Sequence, residues 1–167
     1  NDARVGKVVE QLRRRVPDVA KMRALGFCVG VEHARYMAQK FNAIGIPAVA
    51  VWGDPESPDR KQALRQLRDG SINVIFAVDL FNEGVDVPEI DTVLFLRPTE
   101  SATVFLQQLG RGLRRDDDKP CLTVLDFIGT QHSKFRFDER YAALLSVSRT
   151  AVREQIASAV NVIIQVQ

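Results

Sequence analysis

Apolar residues follow two different periods along the chain. Valines and a leucine at helical spacing between residues 5 and 12 predict an amphipathic helix over the first fifteen residues. Short apolar runs then alternate with longer helical patterns. These runs predict five strands, at 27–31, 48–52, 73–78, 92–96 and 121–127. Continuous apolar strands that alternate with helices form a parallel sheet covered by helices on both faces, so the sequence predicts a three-layer α/β fold.

The helices between these strands have recognisable ends. One helix is expected over 33–45, closed by Gly45, and the next is expected to run to Gly70. Ser57 is the predicted N-cap of that second helix, with Pro58 at its first helical position. Beyond Thr130 the pattern predicts no further strand. It predicts a short helical extension over 139–160 and leaves the burial of the apolar tail unassigned.

Composition restricts the possible function classes only weakly. With 167 residues and 46% hydrophobic content, the chain can bury one good core. The formal net charge is +2, since 23 basic residues face 21 acidic ones, so bulk charge does not indicate a nucleic-acid-binding protein. Any such function must depend on local patches.

Cys28 and Cys121 each lie in an apolar run without a second cysteine or histidine at metal-ligand spacing. They are interpreted as core residues of a cytosolic, cytoplasmic protein, and no metal site is predicted. No apolar run approaches the ~20 residues that a membrane helix needs, so no membrane partner is expected. The chain begins at Asn1 rather than at methionine, and it is expected to have been cut from a longer protein.

An acidic segment, residues 79–88, follows one of the predicted strands. It contains three acids and a glycine, and its simplest interpretation is a polar loop in which Asp79 caps a turn. In parallel sheets, however, ligands bind beyond the carboxyl ends of the strands. Gly84 would then allow close approach of the backbone, and Asp86 would accept a hydrogen bond from a sugar hydroxyl.

The segment QQLGRGLRR, residues 107–115, concentrates three arginines and two glycines. These cations could simply complement the negative end of a helix dipole, balanced by the three aspartates that follow. Yet Gln107, Gly110, Arg111 and Arg114 share one helical face, because their spacings are three, four and seven residues. Guanidinium groups on such a face are suited to a phosphate, to which each can donate two hydrogen bonds.

With these segments together, the chain resembles the second RecA-like domain of superfamily two helicases. Gln107-x-x-Gly110-Arg111-x-x-Arg114 is similar to their motif VI, and residues 77–86 are similar to motif V. Residues 27–34 correspond to motif IV, and Trp52-Gly53-Asp54 takes the place of a His-Gly turn. Residues 82–115 and the segment after them are also similar to bacterial DEAD/DEAH-type helicases related to restriction-enzyme helicase subunits.

The resemblance implies a RecA-like domain at 25–128, preceded by a helix within 1–24 and followed by the extension at 129–167. In this family ATP binds between two RecA-like domains, and the first holds the phosphates and Mg²⁺. This chain contains neither GxxxxGK[ST] nor a DExx box that follows a predicted strand, so the domain alone is expected to be inactive. The resemblance implies that Arg114 is an arginine finger, that Arg111 is a second phosphate contact and that Gln107 is a positioning amide. It implies nucleotide binding for Glu83, Gly84 and Asp86.

Nucleic acid is expected to cross the same end of the sheet. The resemblance implies backbone contacts there from Gly30, His33, Gly53 and Asp79. Val78 stands where many relatives have threonine, and Glu83 where DEAD-box members have arginine, which favours DNA over RNA. The predicted function is the C-terminal motor domain of an ATP-dependent helicase or translocase, with an N-terminal RecA-like ATPase domain as partner. The alternatives are a non-catalytic nucleic-acid-binding or regulatory domain with a degenerate helicase fold, and a small-molecule-binding α/β protein.

Overall fold

The computed structural model describes residues 2–78, 89–97, 123–127 and 163–165. Within them, one six-stranded sheet has the order β2-β3-β1-β4-β5-β6, and every neighbouring pair is parallel. The elements in chain order are α1 Asp2–Arg15, β1 Ala24–Phe27, α2 Val31–Ala43, β2 Ala48–Trp52, α3 Arg60–Asp69, β3 Val74–Val78, β4 Thr92–Phe95, β5 Thr123–Asp126 and β6 Ile163–Gln165. The parallel α/β fold predicted from the sequence is confirmed.

The strand order places helices on both faces of the sheet. The connection from β1 to β2 passes beyond β3, whereas the connection from β2 to β3 returns in the opposite direction. Because parallel crossovers are right-handed, these opposite moves put α2 and α3 on opposite faces. On the α2 face, Phe41 meets Phe76 edge to face, with ring centres 5.0 Å apart. On the other face, Phe27 and Phe95 stack at 5.7 Å between ring centres.

The predicted N-terminal helix is confirmed as α1. Its apolar stripe is buried in the same core cluster as the α2 face of the sheet, and consists of Val5, Val8, Val9 and Leu12. A polar contact at its start also joins it to α2, where Asp2 accepts a hydrogen bond from the Tyr36 hydroxyl and pairs with Lys40 at 2.8 Å. Helix α1 is therefore packed on the domain rather than extending away from it.

A glycine inside β1 allows the core to close. A Cβ atom built on Gly26 would lie 2.7 Å from a ring carbon of Phe76 on the neighbouring strand β3. Real Cβ atoms do not approach that closely, so the aromatic ring fills the space above the glycine. The absence of a side chain at this position lets Phe76 contact Phe41 of α2.

The predicted position of the first strand was wrong. The sequence placed it at 27–31, but β1 ends at Phe27 and α2 already begins at Val31. The apolar residues Cys28 and Val29 extended the strand pattern beyond its real end. Cys28 is buried at 1% exposure beneath the turn, whereas the Val29 side chain is 61% exposed.

The predicted start of α3 was also wrong. Asp59 is its N-cap, and the Asp59 carboxylate accepts a hydrogen bond from the Lys61 N–H at 2.9 Å. Ser57 is used differently, because its hydroxyl accepts from the Trp52 N–H at 2.8 Å and so holds the preceding turn. Gly70 does close the helix as predicted, with a φ of 86°.

A further strand occurs where none was predicted. Strand β6 pairs in parallel with β5, placing Ile163 beside Val124 and Ile164 beside Leu125. The apolar tail therefore adds an edge strand to the sheet. At three residues, β6 is too short to show a strand period in the sequence. The helix predicted over 139–160 lies outside the described residues.

Candidate functional site at the carboxyl edge of the sheet

The carboxyl ends of the strands meet at one edge because every strand pair is parallel. Gly30 and His33 lie at the start of α2 just beyond β1, and Gly53 lies in the turn just beyond β2. The structure therefore places these three predicted residues on the same edge, with β3 between β1 and β2. The other predicted site residues lie outside the described residues: Asp79, Glu83, Gly84, Asp86, Gln107, Arg111 and Arg114.

Helix α2 presents an uncapped N-terminus at this edge. Gly30 is its N-cap in extended conformation, with φ −169° and ψ 175°, and no side chain caps the helix. The first N–H groups of any α-helix have no partner within the helix and carry its positive dipole end. A Cβ built on Gly30 would meet nothing within 4 Å, so the approach to these donors is open.

His33 lies in the first turn of α2 and folds back onto the preceding turn. Its Nδ1 accepts a hydrogen bond from the Val29 N–H at 3.3 Å, which leaves the ring proton on Nε2. Burial lowers the pKa of His33, and the nearby charge of Arg4 lowers it further. The half-buried ring is therefore neutral near neutral pH and offers one Nε2–H donor.

Arg97 supplies a positive charge that sequence reasoning did not assign to the site. Residue 97 follows the end of β4, and its Nη1 donates to the Val29 carbonyl at 2.9 Å and to the Cys28 carbonyl at 3.4 Å. The signal that could have identified it was position, since it immediately follows the predicted strand at 92–96 and so belongs to the same edge.

The turn after β2 is tied to α2 by an aromatic contact. The guanidinium carbon of Arg35 lies 4.7 Å from the centre of the Trp52 ring, within cation–π range. Arg35 also contacts Glu32 at 3.5 Å. The exposed Gly53 follows Trp52, so this contact orients the predicted glycine turn relative to the start of α2.

An open groove of about 900 Å³ continues from this edge along α2. Its lining includes Arg4 from α1 and Val29, His33, Arg35 and Tyr36 from the turn and α2. Two arginines against the single acid Glu32 make the lining locally basic, although the whole chain is nearly neutral. This agrees with the expectation that any affinity for an anionic polymer would be local.

Cys28 lies beneath the site and takes no part in its surface. Burial raises the pKa of its thiol to about 12, although the charge of Arg97 acts in the opposite direction. A thiol with such a pKa is not a nucleophile near neutral pH. Among the described residues, no group of three or more histidine, cysteine, aspartate or glutamate side chains could hold a metal ion.

The helices of the described part of the chain are all too short or too polar to cross a membrane.

Comparison with known proteins identifies the family. Residues 7–116 match the helicase conserved C-terminal domain. The chain is 33% identical over 103 residues to the putative ATP-dependent helicase IRC3 of Saccharomyces cerevisiae, covering 62% of this chain and 15% of that protein. It is 30% identical over 122 residues to the DNA 3'-5' translocase XPB2 of Sulfurisphaera tokodaii, covering 73% of this chain and 27% of that protein.

A solved structure shows the same fold. The yeast DEAD-box splicing factor Prp28 aligns with a TM-score of 0.65 and 16% sequence identity, covering 97% of this chain and 33% of the Prp28 chain. The chain thus spans at most about a third of these relatives. The family match extends over most of the sheet and includes the edge described above. The chain belongs to the helicase conserved C-terminal domain family and is the C-terminal RecA-like domain of a superfamily two helicase.

Proposed function

We propose that this domain is the C-terminal motor domain of an ATP-dependent DNA helicase or translocase. Its partner is an N-terminal RecA-like ATPase domain of the same parent chain, which holds ATP and Mg²⁺. One observation carries the proposal: the uncapped start of α2, the His33 ring donor and the Arg97 guanidinium meet at the carboxyl edge of the sheet. The N–H groups of α2 and the His33 ring donor suit a chain of phosphates, and Arg97 holds the turn that precedes them.

The nucleic-acid half of the proposal rests on donors that do not read sequence. Backbone N–H groups at a helix start and the ring N–H of His33 bind phosphate oxygens equally well beside any base. The glycine turn at Gly53 lies beyond β2, next to β3 in the sheet. Gly53 and Asp79, the next residue in the sequence after β3, are proposed to contact the same backbone. Binding is therefore expected to tolerate any sequence and to weaken steeply with salt.

The nucleotide half rests on the chemistry of the donor set. Arg111 and Arg114 are suited to phosphate oxygens, Gln107 to a phosphate or a water molecule, and Asp86 to a ribose hydroxyl. Glu83 and Gly84 are proposed to line the same nucleotide. These residues fit ATP, which supplies the phosphoryl group whose transfer to water powers movement. The arginines stabilise negative charge that develops in the transition state, an effect worth about 10³–10⁵ in rate.

DNA is proposed as the substrate because of two departures from RNA-directed relatives. Val78 ends β3 at 9% exposure within the core, and it has no hydroxyl to donate to a sugar-phosphate backbone. Glu83 adds a negative charge close by in sequence, where DEAD-box members carry an arginine. Both changes depart from the pattern of the RNA-directed DEAD-box members.

ATP turnover of the parent protein tests the proposal. We expect single-stranded DNA to stimulate hydrolysis, and Arg114→Ala to lower the stimulated rate by several hundredfold or more while ATP binding survives. A smaller loss is expected for Arg111→Ala. Arg14→Ala is the matched control, because this exposed arginine at the end of α1 pairs with Glu10.

Two results would contradict the proposal. Unchanged turnover in both variants would support the alternative, a non-catalytic domain with a degenerate helicase fold. Stimulation by single-stranded RNA but not by DNA would keep the motor function and overturn the choice of substrate.

A further inference from the structure

The turn between β1 and α2 is held on both sides by side chains. The Val29 N–H donates to His33 Nδ1 at 3.3 Å, and the Val29 carbonyl accepts from Arg97 Nη1 at 2.9 Å. The two partners come from different elements, since His33 belongs to α2 and Arg97 follows β4. Both backbone groups of this exposed residue are therefore fixed by the protein rather than by water.

Arg97 also changes the charge that the turn presents. The Cys28 and Val29 carbonyls lie at the carboxyl end of β1, where their negative oxygens would repel a phosphate. Arg97 Nη1 lies within 3.4 Å of both oxygens and covers them with a cation. The next residue, Gly30, is the N-cap from which the α2 donors begin. The group that fixes the turn thus also neutralises the carbonyls beside the proposed phosphate site.

We propose that Arg97 is a positioning residue for nucleic-acid binding. It fixes the orientation of the turn relative to α2, so that the N–H groups after Gly30 and the Nε2–H of His33 point to one phosphate. The inference rests on the proposed function, because it assigns Arg97 a role in that same binding edge. Arg97 acts through the turn, and the phosphate contacts themselves come from α2.

This role predicts a particular pattern of substitution effects. Arg97→Met keeps the length and apolar stem of the side chain and removes both the charge and the donors. We expect it to weaken binding by about tenfold, in line with the loss of hydrogen bonds from a charged donor. Arg97→Lys keeps a cation that can reach the Val29 carbonyl, and it is expected to restore most of the affinity.

The test uses the 167-residue chain and a fluorescein-labelled single-stranded oligo-dT, with binding followed by fluorescence anisotropy from about 50 to 200 mM salt. If Arg97 positions the turn, Arg97→Met lowers affinity at every salt concentration and leaves the slope of log affinity against log salt unchanged. If Arg97 instead contacts a phosphate directly, the slope falls by about one, and the positioning role is overturned. Arg14→Met, which removes an arginine paired with Glu10 on α1, controls for net charge.

A double-mutant cycle between Arg97 and His33, measured as binding affinity, distinguishes positioning from a purely structural role. Because His33 and Arg97 hold the same residue, the combined His33→Ala and Arg97→Met chain should lose less affinity than the two separate losses predict. Additive losses would overturn the inference. Should Arg97→Met fail to fold, Arg97→Gln is the second variant, since its shorter amide cannot span the same distance and the same losses are expected.

The outcomes for this inference and for the proposed function are distinguishable. Wild-type binding with no effect of Arg97→Met overturns the positioning role alone. No binding of oligo-dT by the wild-type chain overturns the proposed nucleic-acid edge, and the positioning role with it.

Discussion

The two edges of the sheet use polar residues in opposite ways. At the amino edge, where the strands begin, Asn73 is 4% exposed and donates to the Ala20 and Met22 carbonyls at 2.8 and 3.0 Å. Asp91 accepts from the Arg23 N–H at 3.1 Å and from the Thr92 hydroxyl at 2.8 Å. Polar side chains here bind the protein's own backbone and one another.

At the carboxyl edge the polar groups are arranged to leave donors facing outward. His33 uses one ring nitrogen to hold the turn and keeps the other as a donor, and the start of α2 has no side-chain cap. Val29 exposes its side chain while its backbone is held. The comparison teaches that the number of polar residues does not identify a binding edge. The useful indicator is whether a held polar group still has hydrogen-bonding capacity left over.

The sharpest contrast in exposure lies within the carboxyl edge itself. Cys28 in the native chain should react with iodoacetamide about a thousandfold more slowly than in the urea-unfolded chain. The physical reason is that burial raises the thiol pKa from 9.0 to about 12, and each pKa unit is a factor of ten in thiolate. Mass spectrometry of the peptide that contains Cys28 measures the rate.

The control for this labelling is the neighbouring position. Val29→Cys in a Cys28→Ala background places a thiol where the side chain is 61% exposed, and it should react at close to the unfolded rate. Equal rates of alkylation at positions 28 and 29 would contradict the argument that burial protects Cys28 while position 29 is open to solvent.

The amino edge should respond most strongly to loss of a buried amide. Asn73→Ala leaves the Met22 carbonyl without its partner in a buried place and also removes the part-buried bond to the Ala20 carbonyl, so we expect a loss of about 2–4 kcal/mol in the free energy of unfolding. Urea unfolding followed by circular dichroism measures it. The affinity of the folded protein for DNA should not change.

Asn42 offers a matched control for that substitution. Its amide also makes two backbone hydrogen bonds, both with Ala48, at 2.8 and 2.9 Å, but the residue is exposed. Although Ala48 is buried, both bonds are only part-buried and Asn42 is exposed, so water can replace part of this bonding and Asn42→Ala should cost only about 0.5–1.5 kcal/mol. A cost equal to that of Asn73→Ala would contradict the argument from burial.

Glycines at the two edges should respond in opposite directions. Gly70 at the amino edge has a φ of 86°, and a Cβ there would lie 2.5 Å from an Arg23 guanidinium nitrogen, so Gly70→Ala should destabilise by about 1–2 kcal/mol. Gly30 has extended backbone and open space, so Gly30→Ser should add a cap and stabilise by a few tenths of a kcal/mol. Paired urea titrations measure both, and destabilisation by Gly30→Ser would show that the site turn is strained.

The smallest expected effect is a pH dependence from His33. Its pKa in the folded chain lies below the ordinary 6.5, because burial and Arg4 disfavour the charged ring. As the pH falls through 6.5, the unfolded chain takes up a proton that the folded chain resists, so stability decreases until both forms are protonated. Above 6.5 His33 contributes no pH dependence. Urea midpoints from about pH 5 to 8 should show this decrease in the wild type and not in His33→Gln.

Much of the fold could be predicted from the sequence, because the helical spacing of apolar residues and the short apolar runs of the strands are both clear. The apolar stripe of α1 and the run at 48–52 predicted elements that the structure contains, and the alternation of strands and helices predicted a parallel sheet. Errors occurred where a residue that fits a sequence pattern has a different role in the structure. Val29 continued the pattern of β1 yet lies exposed in a turn, and Ser57 matched an N-cap yet holds Trp52.

The sequence determined the residue types of the candidate site, whereas only the tertiary structure decided which of them meet. Motif spacing predicted Gly30, His33 and Gly53 as site residues, because the resemblance is carried by local residues in chain order. Arg97 was not identified, since its contact to Val29 joins residues 68 positions apart. Among the described strands, the edge position of β6 is likewise set by strand order. The local spacing of apolar residues determines the helices and strands, whereas the pairing of strands distant in sequence determines which side chains meet. The geometry of the candidate site depends on those contacts.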